Sequence, residues 1–159
     1  MIPTHAWSMN GPQRGDTELQ AWDDRPEDEL RRLLGRLNGS DRHSFLLWRL
    51  PTNRRLPELK PKEYQRHSSV YMQCAGDFND RMTCEIRESV DGELHQYVLG
   101  RSADATDDAE ADQIVRWNDH VAKVRPNEVL SGDEVAELFV HYYRTGTSAP
   151  GYSRRELNH

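Results

Sequence analysis

Leu30, Leu33, Leu34 and Leu37 recur at i, i+3, i+4 and i+7, which puts four leucines on one face of a helix and predicts that this face is buried. Asp24 and Glu27 have capping-box spacing ahead of the stripe, Pro26 falls in the first turn, and Asn38-Gly39 can leave the helix through a left-handed conformation. A second helix carries the same signals. Ser131-Gly132-Asp133-Glu134 caps it, Val135, Leu138, Phe139, Tyr142 and Tyr143 share one face, and Gly146 follows its end. Between the two helices, residues 43–50, 69–75, 82–89, 94–101 and roughly 114–124 read as strands. Residues 17–22 suit a short first strand and residues 152–157 a last edge strand.

Asp91-Gly92 joins two of these strands and is a strong hairpin signal, because a type I′ turn needs positive φ at both central positions. A two-residue turn sets Val90 opposite Glu93, Glu88 opposite His95, Ile86 opposite Tyr97 and Cys84 opposite Leu99. Cys84, Ile86, Tyr97 and Leu99 then meet the leucine helix. Thr83, Glu85, Arg87, Gln96 and Val98 form the opposite, mostly polar face, expected to stay open to solvent or a partner. Residues 1–15, with Pro3, Gly11, Pro12 and Gly15 and no sustained period, read as a flexible leader, and residues 16–159 as the domain. The expected fold is a single α+β domain: an antiparallel meander sheet with two packed helices.

Composition narrows the function. Hydrophobic residues make up 35% and charged residues 30% of 159, enough for one lean core. The longest apolar runs, such as Phe45-Leu46-Leu47-Trp48, are far short of the roughly 20 residues of a membrane span. The start of the chain lacks a basic and apolar signal pattern, so a cytoplasmic protein is expected. Only Cys74 and Cys84 occur, read as reduced thiols, although neighbouring strands can bring them together. Lys+Arg 21 against Asp+Glu 27 gives a net charge of −6, which argues against direct nucleic-acid binding and for a basic partner.

Phosphate-loop, dinucleotide, zincin and hydrolase-elbow signatures are missing, and the seven histidines show no paired helical spacing, so neither metal nor cofactor is expected. The best acid–base candidate is Glu88 facing His95, weighed against a cross-strand salt link that stabilises the sheet. A basic, proline-rich loop follows residue 50, with Arg54, Arg55, Lys60 and Lys62 near the aromatic Trp48 and Tyr64; it is read as a solvated loop rather than a nucleic-acid groove. Residues 104–112 hold five acids without a cation. Asp104, Asp107, Asp108 and Glu110 there are expected to steer a cationic partner, with Glu85, Glu88, Asp91 and Glu93 of the hairpin as contacts.

The segments Tyr71-Met72-Gln73-Cys74-Ala75-Gly76, Arg81-Met82-Thr83-Cys84-Glu85-Ile86-Arg87 and Leu94-His95-Gln96-Tyr97-Val98-Leu99-Gly100 form the meander. Val129-Leu130-Ser131 then leads into Glu134-Val135-Ala136-Glu137-Leu138-Phe139 and Tyr143-Arg144-Thr145-Gly146, with Pro150 beyond. In these segments and in element order, residues 17–157 resemble the bacterial immunity proteins of polymorphic toxin systems, in particular family one. The resemblance implies an antitoxin that binds a cognate toxin domain, a nucleic-acid deaminase or nuclease, and blocks its active site without turnover of its own. A small cytoplasmic enzyme using the Glu88/His95 pair is the alternative.

Overall fold

A computed structural model describes residues 2–11, 14–21, 25–102 and 109–157. Within them the chain runs β1 (His5–Met9), β2 (Thr17–Glu18), α1 (Pro26–Leu34), β3 (Ser44–Arg49), α2 (Pro61–Ser68), β4 (Tyr71–Gly76), β5 (Met82–Val90), β6 (Glu93–Arg101), β7 (Gln113–Trp117), β8 (His120–Val124), α3 (Gly132–Thr145) and β9 (Tyr152–Glu156). Seven strands form one antiparallel sheet in the order β2-β1-β3-β4-β5-β6-β9, and β7-β8 is a separate hairpin. The fold is α+β.

The hairpin signal is realised: Asp91 (φ 52°) and Gly92 (φ 82°) both take positive φ, and the register pairs Val90 with Glu93, Glu88 with His95 and Ile86 with Tyr97. One face of the sheet lies under α1 and α3. Leu30, Leu33, Leu34 and Leu37 are buried there with Cys84, Ile86, Leu99, Val135, Leu138 and Phe139. Burying each such leucine contributes about 1.5–3 kcal/mol. The Phe45 ring meets Phe139 edge-on at 5.6 Å and stacks on Trp7 at 5.6 Å, tying β1 and β3 to α3.

The α3 boundaries follow the sequence signals. Ser131 Oγ accepts from Glu134 N–H at 3.2 Å, the Glu134 carboxylate accepts from Ser131 N–H at 3.0 Å, and Gly146 closes the helix at φ 75°. At α1, Arg25 holds the N-cap position without a side-chain cap and Pro26 starts the helix; the expected cap, Asp24, lies outside the described residues.

Four expectations need correction. The first is the leader: His5–Met9 is an interior strand between β2 and β3, with His5, Ala6 and Ser8 buried. A strand covered on both faces shows no alternation, which is why periodicity missed it. The second is the helix count. The proline-rich segment holds a 3-10 turn at Leu56–Glu58 and then α2, whose first residue is Pro61, where a missing N–H costs nothing.

The third is residues 114–124, which are not one strand. Asn118 turns the chain at φ 50°, and Trp117 pairs with His120. The fourth is the face opposite the leucines, which is largely covered. Val98, Val115 and Val124 form a buried cluster under the β7-β8 hairpin, and Ala6, Trp48 and Leu50 form another beside Leu56, Leu59 and Tyr64. The approach is close: at Gly100 a Cβ would come within 2.5 Å of Asn127 Nδ2, so any larger residue must displace that side chain.

Candidate functional site: a basic cleft beside the hairpin tip

The predicted contact residues do not form one patch. Glu88 and His95 are opposite each other in register, but the Glu88 carboxylate accepts from Arg154 Nη2, and His95 Nδ1 bonds Glu156. Arg154 also lies over the Tyr97 ring at 4.1 Å, and Glu93 stands 3.7 Å from His95 Nε2. The Glu156 hydrogen bond, more than the neighbouring charge, raises the His95 pKa. The two side chains are thus parts of a β5-β6-β9 network, and the acid–base pair is replaced by links to β9.

Glu85 lies on the other face, where Gln96 Nε2 donates to it at 2.7 Å and Gln73 Nε2 at 3.4 Å. Asp91 and Glu93 are exposed at the hairpin tip. Glu110 is exposed at the far end of the strands: three residues on, the Gln113 side chain accepts from Arg81 at 3.4 Å in the turn opposite that tip. Asp104, Asp107 and Asp108 lie outside the described residues. Of the acids whose positions are described, the tip brings together Glu88, Asp91 and Glu93 and leaves Glu85 and Glu110 apart.

Cys74 and Cys84 are register partners on β4 and β5, both free and buried, and burial pushes both thiols well up. Among the described residues no group of three or more His, Cys, Asp or Glu could hold a metal ion, and no helix is long and apolar enough to cross a membrane.

The residues of the basic loop are occupied structurally. Arg54 binds Glu63 at 3.0 and 3.2 Å, and Arg55 binds Glu18 at 2.7 and 2.8 Å. Trp48 is fully buried and donates Nε1–H to Asp16 at 3.1 Å, while the Tyr64 hydroxyl donates to the same carboxylate. These bonds fasten α2 across the outer face of the sheet. Neither aromatic ring is free to stack on a base.

Fastening α2 creates a cleft of about 870 Å³ at the end of the sheet where β3 leaves and β4 enters. Lys62, Gln65, Arg66 and Ser69 line it from one face of α2 and its exit, following the i, i+3, i+4, i+7 spacing. Arg49 comes from the end of β3, Ser89 and Leu94 from the hairpin, and Tyr142 from α3. Among the described residues no carboxylate lines this cleft. Among the described residues Arg49, Lys62 and Arg66 have no ion-pair partner, and Arg66 meets only His67 Nε2 at 3.3 Å. Desolvation and then the Arg66 charge lower the His67 pKa, favouring its neutral ring beside these cations.

Sequence reasoning missed the cleft. The signal was the 62/65/66/69 spacing, hidden because three prolines had marked the segment as a loop. In comparisons with known proteins, no family model matches the chain, and neither a curated protein nor a solved structure does.

Proposed function

We propose that this protein is a cytoplasmic immunity protein that holds a basic bacterial toxin domain through the tip of its β5-β6 hairpin and inhibits it without turnover. The observation that carries the reading is the tip itself. Val90 and Leu94 remain 45% and 44% exposed, on opposite faces of the hairpin, and flank two exposed acids, Asp91 and Glu93. Asp91 has no ion-pair partner among the described residues, and Glu93 has only the 3.7 Å approach of His95. Apolar anchors beside unspent carboxylates match what is needed to enter an active-site cleft that attracts phosphates. The type I′ turn and its six-pair register hold the tip in advance, which cuts the ordering cost of association.

Co-expression with the toxin domain encoded beside it tests this. The wild type should restore growth and bind the purified domain. Val90→Ser with Leu94→Ser should raise Kd by tenfold or more, and Asp91→Asn with Glu93→Gln should mainly slow association and flatten its salt dependence. Unchanged binding by both double variants, or no protection by the wild type, refutes the reading.

A further inference from the structure

We propose that the cleft between α2, the end of β3 and the β5-β6 hairpin is a binding site for a phosphate-bearing small molecule of mononucleotide size. The volume of about 870 Å³ lies within the range of pockets that enclose a ligand of that size. Arg49, Lys62 and Arg66 line it with no carboxylate among the described residues, although the chain as a whole carries a net charge of −6. The contrast with the neighbouring cations is local: Arg54 and Arg55, on the same segment, each hold a glutamate. Three like charges around one cavity repel each other, and a multiply charged anion between them relieves that repulsion.

The chemistry of the donors favours phosphate. Two guanidinium groups offer paired N–H donors to phosphate oxygens, and the lysine adds a point charge. Ser89 and Thr52 add hydroxyls at the same lining, whereas the Ser69 hydroxyl donates to the Gln65 carbonyl; His67, its pKa lowered, offers a neutral ring that can donate from one nitrogen and accept at the other. The remaining wall is apolar, with Leu50, Pro51, Val70 and Leu94, and suits the organic part of the ligand rather than a bare ion. Tyr142, on the buried side of α3, closes the floor.

Calorimetry on the full chain with adenosine 5′-monophosphate, pyrophosphate and adenosine separates the contributions. The monophosphate should bind saturably and more tightly than either pyrophosphate or adenosine. Arg49→Gln and Arg66→Gln should each weaken it by about tenfold or more, and Lys62→Gln by less. All three side chains are exposed, so urea midpoints should stay at the wild-type value and separate lost binding from lost folding. Three results would overturn the site: affinity weaker than about 1 mM for every phosphate probe, binding retained when all three cations are replaced, or a single-stranded oligonucleotide binding far more tightly than the mononucleotide.

Discussion

Glu128 is 1% exposed and sits in the 3-10 turn Pro126–Glu128 that follows β8, where its carboxylate accepts from Arg155 Nε at 2.9 Å and Nη2 at 2.8 Å, and from Arg125 N–H at 2.7 Å. Arg155 lies on β9, the edge strand, so this pair connects the last strand to the segment ahead of α3. Replacing Arg155 by Met removes two charge-assisted hydrogen bonds and leaves a buried carboxylate with one backbone donor. Breaking a buried pair from one side costs about 3–5 kcal/mol, against about 0–1 for an exposed pair such as Arg31–Glu137. With a urea m-value of about 2 kcal/mol/M, the midpoint should fall by roughly 1.5–2.5 M. That loss is a large share of the 5–15 kcal/mol available to a domain of this kind. Tryptophan fluorescence in urea reads the transition, since Trp48 is fully buried. The double variant Arg155→Met, Glu128→Met should recover part of the loss, because it removes the orphaned charge along with the pair. A loss below about 1 kcal/mol in Arg155→Met, or a double variant as unstable as the sum of both singles, refutes the claim that burial makes this pair matter.

His5 is buried in β1 beside Tyr143, with ring centroids 4.6 Å apart, and desolvation followed by the Arg49 charge lowers its pKa from 6.5 to about 4. Between those values the unfolded chain binds the proton and the folded chain does not, so this group's stability is full above pH 6.5 and is lost as pH falls to about 4, by roughly 3 kcal/mol in all. His95, with its pKa raised, works with the opposite sign and loses its contribution as pH rises. The difference between wild type and His5→Phe in urea midpoints across this range isolates His5, and parallel profiles would refute the assignment. Gly100→Ala should destabilise by about 1–3 kcal/mol, since the added Cβ would stand 2.5 Å from Asn127 Nδ2 and 3.0 Å from Glu128 Cγ; an unchanged melting temperature would mean that the turn shifts freely.

The elements legible in the sequence are those whose information is local. Asp91-Gly92 specifies its turn by its own backbone preference, Ser131 and Glu134 cap each other across one turn, and the leucine stripe needs only a partner surface to become a core. The elements that escaped depend on distant residues. His5–Met9 shows no alternation because Leu46, Leu47 and Trp48 on β3 and the elements above and below bury both of its faces. Helix α2 has no buried residue of its own and is held by Asp16, through Tyr64, and by Arg54, through Glu63, while Glu18 holds Arg55 in the segment ahead of it.

The same distinction decides where charge acts. Net charge summed along the chain pointed to an acidic surface, but a sum does not say where charge sits: Glu18, Glu63, Glu88 and Glu128 each cancel locally against Arg55, Arg54, Arg154 and Arg155 in the fold. What a ligand meets is the charge left after these pairings. On that count the hairpin tip stays negative at Asp91 and Glu93, while Arg49, Lys62 and Arg66 make the adjoining cleft positive. The two charges lie side by side because Leu94 belongs to both. It is part of the exposed tip and part of the cleft wall.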